Sequence, residues 1–488
     1  MHKQRIPDLD DLARQAMVKN GFAVDFPPEV RAQVDAISKE NIQRPFDEVP
    51  DLRHLLWSSI DNETSRDLDQ VEYAEQLPDG DVRLLVGIAD VDSLVPKHSP
   101  IDHRAAINTV TVYTESEVFP LLPEELSTDL SSLLERRDRL AVIVELIIKE
   151  NGDVPENNVF HGLVRNRAKL NYEEVGAWLD ENAPEPPKAA ANEALRDQIV
   201  LQKIAAERLH KLRLEKGALE FESIESKPVV VEGEVRDIEA LEPNTARRII
   251  ENFMIAANVE MAEFLDRKGF PSIRRVVSTP ERWEGIRKIS VDFGVTLPES
   301  PDVQALSEFL TERRKKDPVH FPDLSLSIIK LIGSGKHVVQ QPGEVSGGHF
   351  GLALRDYAHS TAPNRRYPDL IVQRLVKAAI SGDSSPYTVE ELEEIAGHCN
   401  DRERAARKVE RKMRKIVAAR VMQHRTGKRF DAIVTGKTPK GTFARIVRPP
   451  VDGRIVKGEE RVDVGDQVNV RLLSANPRNG FIDFAVER

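Results

Sequence analysis

The C-terminal stretch of the chain leaves little freedom of fold. From about Phe430 onward it runs DAIVTGKT, GTFARIV, GRIVKG, QVNVRLL and GFIDFAV, short segments parted by Gly, Pro and Asn turns. Five short strands so closely spaced predict a small closed barrel of the OB type over residues 426–488. Lys, Arg and Phe side chains, Phe443 among them, are interleaved along these strands. Barrels of that make-up grip single-stranded nucleic acid by base stacking and backbone attraction.

Before the barrel the pattern is of another kind. DVRLLVGIADV (81–91) follows the turn signal LPDG, and RLAVIVELIIKENGDV (139–154) runs apolar into an Asn151-Gly152 turn. Runs this rich in Val, Ile and Leu, without clean alternation, predict strands covered on both faces. Long helices follow. Residues 194–216 end at Gly217, and 245–268 start behind an Asn244 cap and end at Gly269. The second carries an apolar stripe through Ile250, Phe253, Ala257, Met261 and Phe264, with Glu251 and Asn258 together along its edge. A further helix spans about 389–424, and ENAPEPPKAAANEA (181–194) reads as a surface loop. Residues 1–50 hold one amphipathic stretch, Leu9 to Val18, then FPPEV, and read as a short helical arm. The expectation is an α+β chain with an arm (1–50), a body (51–425) and the barrel (426–488).

The single cysteine, Cys399, excludes a disulfide framework and a cysteine-based zinc site within one chain. No apolar run is long enough for a secretory signal or a membrane span, so a cytoplasmic protein is expected. Net charge is −11, which on its face disfavours a polyanionic partner. Phosphates respond to the field within about a Debye length, ~8 Å, so local charge matters more than the sum. Residues 401–429 hold twelve Lys and Arg against three acids.

The most informative segment is DNETSRDLD. Asp67 and Asp69, two apart, point to one side of an extended segment, and a short loop can bring Asp61 alongside. Hard divalent cations, Mg²⁺ or Mn²⁺, take oxygen ligands of this kind, and phosphoryl chemistry uses them to activate water. In HSTAPNRRYPDLIVQRL, Arg365 and Arg366 stand just before a helix that opens with Pro368 and Asp369. Guanidinium groups at a helix N-terminus favour phosphate. Tyr113 and Phe221 lie in otherwise polar contexts and can stack on bases, and Glu251 and Glu410 are lone helical acids.

Taken in order, DLRHLLWSSIDNETSRDLD, LLVGIADVDSLVP, YTESEVFPLLPEELS, KGALEF, IIENFMIAAN, HFGLALRDYAHSTAPNRRYPDLIVQR and ERAARKVER resemble the catalytic (RNB) domain of the ribonuclease II family, over roughly residues 50–425. The last part resembles the RNA-binding barrel named after ribosomal protein S-one. The resemblance implies a mixed sheet wrapped by helices and processive 3′→5′ hydrolysis of single-stranded RNA to nucleoside 5′-monophosphates. It implies that Asp61 and Asp67 hold Mg²⁺, that Asp69 places metal and water, and that Arg365 contacts the scissile phosphate. Arg366 and Phe443 are expected to bind RNA, Tyr113 and Phe221 to clamp terminal bases, and Glu251 and Glu410 to fix the RNA 3′ end. Three departures stand out. Gln70 replaces a fourth aspartate, leaving a weaker metal ligand and, as the alternative outcome, an impaired RNA-binding protein. TAPNRRY carries Ala362 and Asn364 where the family has Ser and Ile. The two cold-shock barrels that precede the catalytic domain in the family have no counterpart in residues 1–50.

Overall fold

The apolar run 81–91 becomes β3 (Val82–Ala89) and the run 139–154 becomes β6 (Asp138–Ile148), paired inside a six-stranded sheet in a computed structural model. The structure describes residues 8–40, 49–222, 225–231, 234–241, 243–318, 320–344, 347–439 and 441–487. β7 (Glu156–Arg165) flanks β6, while β2 (Gln70–Gln76), β1 (Ser58–Asp61) and β8 (Ala168–Asn171) extend the other side. All neighbours are antiparallel except the β1–β8 edge. Both faces are covered, as the unbroken apolar runs require. Leu84, Val86 and Ile88 enter the large core under the helices, and Leu85 and Ala89 pack with Trp57, Leu68, Val71 and Ile143 on the opposite face. Each Val, Leu and Ile among these contributes about 1.5–3 kcal/mol of burial.

The helices on the first face are α4 (Tyr172–Leu179), α6 (Glu193–Glu215) and α7 (Thr245–Arg267). The Asn192 and Asn244 side chains cap α6 and α7 by accepting the N–H of Leu195 and Arg247. Gly217 and Gly269 follow their ends at φ +90° and +76°, a backbone that L side chains resist. The 181–194 stretch differs from its reading as a loop. It contains one helical turn, α5 (Pro187–Ala190), because Pro187 presets the first helical φ and the alanines favour helix; Ala189 is buried in the core.

The other helices build a shell around one end of the sheet. α3 (Pro100–Asn108) and α11 (Tyr367–Ser381) complete the main core, and α2 (Pro28–Glu40) lies on α3. α1 (Leu9–Lys19) packs Leu9, Leu12, Ala16 and Met17 against Val409, Met413 and Ile416 of α12 (Val389–Met422) and against the small pair β4 (Val112–Tyr113) and β5 (Val118–Phe119). The hairpin β9 (Glu225–Val231) and β10 (Glu234–Leu241) reaches α12. The pair β11 (Ser272–Val276) and β12 (Lys336–Gln340) brackets the helices α8 (Trp283–Asp292), α9 (Val303–Lys316) and α10 (Phe321–Ile332).

The predicted five strands appear as β13 (Arg429–Thr438), β14 (Gly441–Ile446), β15 (Val451–Lys457), β16 (Gln467–Asn476) and β17 (Phe481–Val486), closed in the order β13-β14-β15-β17-β16. Closure places Val434, Ala444, Ile455, Leu472 and Phe484 inside. Gly453 is required there, since a Cβ would stand 2.3 Å from the Phe484 ring. Ala418, Ala419, Val421 and Met422 at the end of α12 belong to the same core, so the barrel is packed on the helix rather than tethered to it. Arg445 of β14 also pairs with Asp323 of α10.

Candidate active site

The sheet creates the site by ending β1 at Asp61 and starting β2 at Gln70, so residues 62–69 form a loop at one sheet end. The Asn62 N–H and the Ser65 hydroxyl donate to Asp61 Oδ1 at 2.6 and 2.8 Å. Leu68 N–H donates to Ser132 Oγ (2.9 Å), Leu133 N–H to the Leu68 carbonyl (3.0 Å), and Ala89 N–H to the Asp69 carbonyl (2.9 Å). Asp69 is thereby fixed with a side chain only 2% exposed. Its Oδ1 accepts the N–H and Nδ2 of Asn364 at 3.1 and 3.0 Å, and its Oδ2 accepts Nε of Arg365 at 3.1 Å.

The partner loop is equally held. Ala362 N–H donates to Asp369 Oδ1 (2.9 Å), and Thr111 N–H donates to the Arg365 carbonyl (2.9 Å). Asn364, a departure in sequence, has a structural use: its amide links Asp69 to Ser131 Oγ, 2.6 Å away. Arg365 offers only Nε to Asp69, and its side chain remains 47% exposed. Tyr113, a residue 44% exposed, lies in the field of Arg365 and Asp67, and its backbone N–H donates to Glu410 Oε1 of α12 at 3.3 Å. One neighbourhood therefore holds Asp61, Asp67, Asp69, Tyr113, Arg365 and Glu410, residues scattered over most of the chain.

Negative charge is in excess there. Burial pushes the Asp69 carboxyl up to about 6, with Asp67 adding to the rise and Arg365 opposing it. Asp67 is raised by burial and by Asp61, again against Arg365. Glu72 on β2 is the extreme case. It is fully buried, neither carboxylate oxygen has a partner, and burial and then Asp61 push it well above the usual range. Tyr172, which opens α4, lies within the field of Asp61 and Glu72 and is covered by the Arg247 guanidinium, 4.5 Å from its ring centre. Asn364 stood out in sequence only as a departure from the family pattern, and Glu72 and Tyr172 were not singled out. Glu72 had a signal, an acid two residues after Gln70 on a strand; Tyr172 had none beyond its place at a helix start.

The remaining expected residues lie in other surroundings. Gln70 is buried at the start of β2, opposite Ile88. Phe221 packs half-buried on the α8–α10 cluster, and Phe443 is half-buried on β14, pointing away from the barrel core. Arg366 turns from the site to donate to Asp369 Oδ1 at 2.7 Å. Glu251 is exposed on α7, whereas Asn258, two turns further along the same edge, is buried. Its Oδ1 accepts the N–H and Oγ of Ser360 at 2.7 and 2.8 Å, because the 357–361 segment packs over that turn of α7 alone.

Among the described residues no three His, Cys, Asp or Glu side chains are gathered closely enough to hold a metal ion. Both Asp69 oxygens are occupied by Asn364 and Arg365. The donor chemistry does fit a hard divalent cation: the acids supply oxygen only, and Glu72, a buried carboxyl without a partner in the field of Asp61, shows that further negative charge there is disfavoured until a cation balances it.

Comparison with known proteins agrees with this architecture. A model of the RNB domain matches residues 49–382, and one of the RNase II-type exonuclease C-terminal S1 domain matches residues 428–487. The chain belongs to the RNB family. Ribonuclease R of Aquifex aeolicus (strain VF5) is 31% identical, across 99% of this chain and 70% of that protein. Ribonuclease R of Escherichia coli (strain K12) is 29% identical, across 94% of this chain but only 60% of its own length. The apo form of Mycoplasma genitalium RNase R superposes with a TM-score of 0.86 over 98% of this chain and 78% of that one, at 22% identity. The Mycoplasma protein has also been solved with ribose methylated single-stranded RNA. That structural likeness speaks for the fold.

Proposed function

We propose that the chain is a 3′→5′ exoribonuclease that hydrolyses single-stranded RNA processively to nucleoside 5′-monophosphates, with Mg²⁺ as its metal. The observation that carries this reading is the Asp69–Arg365 pair: a buried carboxylate that orients a guanidinium by one nitrogen while the Arg365 side chain stays half exposed within the field of Tyr113. The free guanidinium nitrogens suit a phosphate and the charge that grows on it during displacement. Tyr113 offers a face for the terminal base, and Glu410 beside it an acceptor for ribose hydroxyls, the groups that distinguish RNA from DNA. Asp61 and Asp67 are the residues to hold the cation, with Gln70 and Asp69 at its margin. When bound, such an ion lowers the pKa of its water and neutralises phosphate charge. Asp69 keeps Arg365 aimed throughout.

The basic flank of α12, with the barrel docked on its end, supplies a salt-dependent grip on the strand. By the family resemblance Phe221 is assigned with Tyr113 to the terminal bases, Glu251 with Glu410 to the RNA 3′ end, and Arg366 and Phe443 to further RNA contacts.

A second reading has one observation in its favour. Gln70 takes the place of an acid, which suits an RNA-binding protein with impaired catalysis. A time course on a 5′-labelled, unstructured RNA with Mg²⁺, with Mn²⁺ and with chelator separates the two. A metal-dependent ladder shortening from the 3′ end is the expected result. Intact RNA that still shifts in a binding gel would favour the impaired form, with Gln70→Asp as the rescue.

A further inference from the structure

Two hydrogen bonds from Asp69, by way of Asn364, stands Ser131, and Ser131 lines a cavity of about 300 Å³ that the reading above does not use. Four arginines face it: Arg136, Arg137, Arg139 and Arg165. Its two acids, Asp90 and Asp138, are already engaged. Asp138 accepts from Arg53 and Arg165, each at 2.8 Å, and Asp90 accepts from Lys377 at 2.9 Å and contacts His161 Nε2 at 2.6 Å. Arg139 donates to the Ser132 and Asp129 carbonyls and pairs with the Asp129 carboxylate at 3.3 Å. Arg137 is exposed and has no ion-pair partner among the described residues. Arg136 has one carboxylate near it, Glu135 at 3.7 Å, and that group is also claimed by Lys188 and by the Lys169 N–H. Of the four arginines, Arg136 and Arg137 are thus the two without a committed anion.

The loop that presents them is built at a cost. Arg136 has φ +61°, a left-handed backbone that a residue with a Cβ adopts only when its surroundings enforce it. The enforcement is visible: Arg136 N–H donates to the Asn166 carbonyl at 2.8 Å, and the Asn166 amide donates to the Leu133 carbonyl and to Ser59 Oγ. A solvated loop of arginines has no need of such a clamp. The volume lies at the small end of ligand pockets, which run from about 300 Å³ upward.

We infer that this cavity binds the phosphate monoester of a nucleoside 5′-monophosphate, the class of product that the reaction proposed above would release. That identity of the ligand rests on the exoribonuclease reading; the need for a small phosphate-bearing anion does not. Its consequence is a product-binding site beside the aspartate centre, through which accumulated mononucleotide slows turnover.

The test uses the full chain carrying Arg365→Ala, which removes the aspartate centre's own phosphate contact, and titrates it calorimetrically with adenosine 5′-monophosphate, with adenosine and with inorganic phosphate. The monophosphate should bind and adenosine should not; adding Arg137→Glu should weaken the binding at least ~tenfold, as expected when a charged hydrogen bond becomes a repulsion. Equal binding with and without Arg137→Glu, or no binding of the monophosphate, would overturn the site. Binding of inorganic phosphate as tight as the monophosphate would overturn the nucleotide assignment. In the otherwise native chain, Arg137→Glu should raise the inhibition constant of added monophosphate in RNA degradation at least ~fivefold and leave single-turnover cleavage within about twofold. An unchanged inhibition constant counts against the inference. If no RNA is cleaved yet the monophosphate binds through Arg137, the exoribonuclease reading fails and the anion site stands.

Discussion

The aspartate centre and the basic end of the molecule handle charge in opposite ways. At the centre, Asp69 is 2% exposed and touches three donors, Asp67 and Glu72 are raised by burial, and one guanidinium carries most of the balance. At the other end, Arg404, Arg407, Lys408, Arg411, Lys412 and Lys415 of α12 line an open groove of about 670 Å³ with Ser334 and Asn479. Their charges sit in water, where each is screened and cheap to keep. The buried site depends on geometry, so a change of one atom matters. The exposed one depends on density, so single changes matter little.

The largest expected effect tests the first half of that contrast. Asp69→Asn keeps the shape but removes the charge that aims Arg365, and should lower RNA turnover on the order of 10³-fold with RNA affinity within about threefold. Turnover within tenfold of the native rate, measured under single-turnover conditions, would place the chemistry elsewhere. Next comes the joint between the two regions. His337 stacks edge-on against His359, and Asn400 of α12 accepts the His337 N–H. Burial, then Arg275, lowers His337 to about 3; burial, then Arg366, holds His359 well below its usual range. Both are neutral when folded, so the unfolded chain takes up more protons below its own pKa of about 6.5. Stability is therefore intact above about pH 6.5 and lost as pH falls from there toward 3. Going from pH 7 to 5 should cost roughly 2 kcal/mol through His337 alone, and His337→Gln should take that part out of the slope in urea titrations and leave the part due to His359. A slope unchanged by the substitution would remove His337 from the joint's pH response. The smallest effect belongs to the exposed groove. Lys408→Glu with Arg411→Glu should raise KM on long RNA about tenfold at low salt, leave kcat within about twofold, and reduce the salt slope by about one per lost phosphate contact. A fall in kcat with KM unmoved would mean that the helix shapes the centre and not the grip.

Deleting the barrel is a poorer probe of grip than it looks from sequence. Removal of residues 430–488 would uncover Ala418, Ala419, Val421 and Met422, so α12 itself would be disturbed and any rise in KM would mix two causes.

Much of the architecture was legible beforehand. Strand runs that lacked alternation proved to be covered on both faces, and Asn244, Gly217 and Gly269 bound their helices as cap chemistry demands. The five barrel strands emerged within two or three residues of their expected bounds. These features are local: periodicity, caps and turns act over a few residues and leave their mark in them. The pairing of Arg365 with Asp69, across 296 positions, is not local. Nor is the divergence of two adjacent arginines, Arg365 toward Asp69 and Arg366 toward Asp369. The amino-acid order alone therefore determined the elements, the barrel and the kind of chemistry available. Only the tertiary structure decided which acids lose their water, that Asn364 has a partner in Ser131, that Glu72 is left with none, and that Arg136 and Arg137 face a cavity. Desolvation and pairing are properties of what surrounds a residue, and those surroundings exist only once distant segments have packed together.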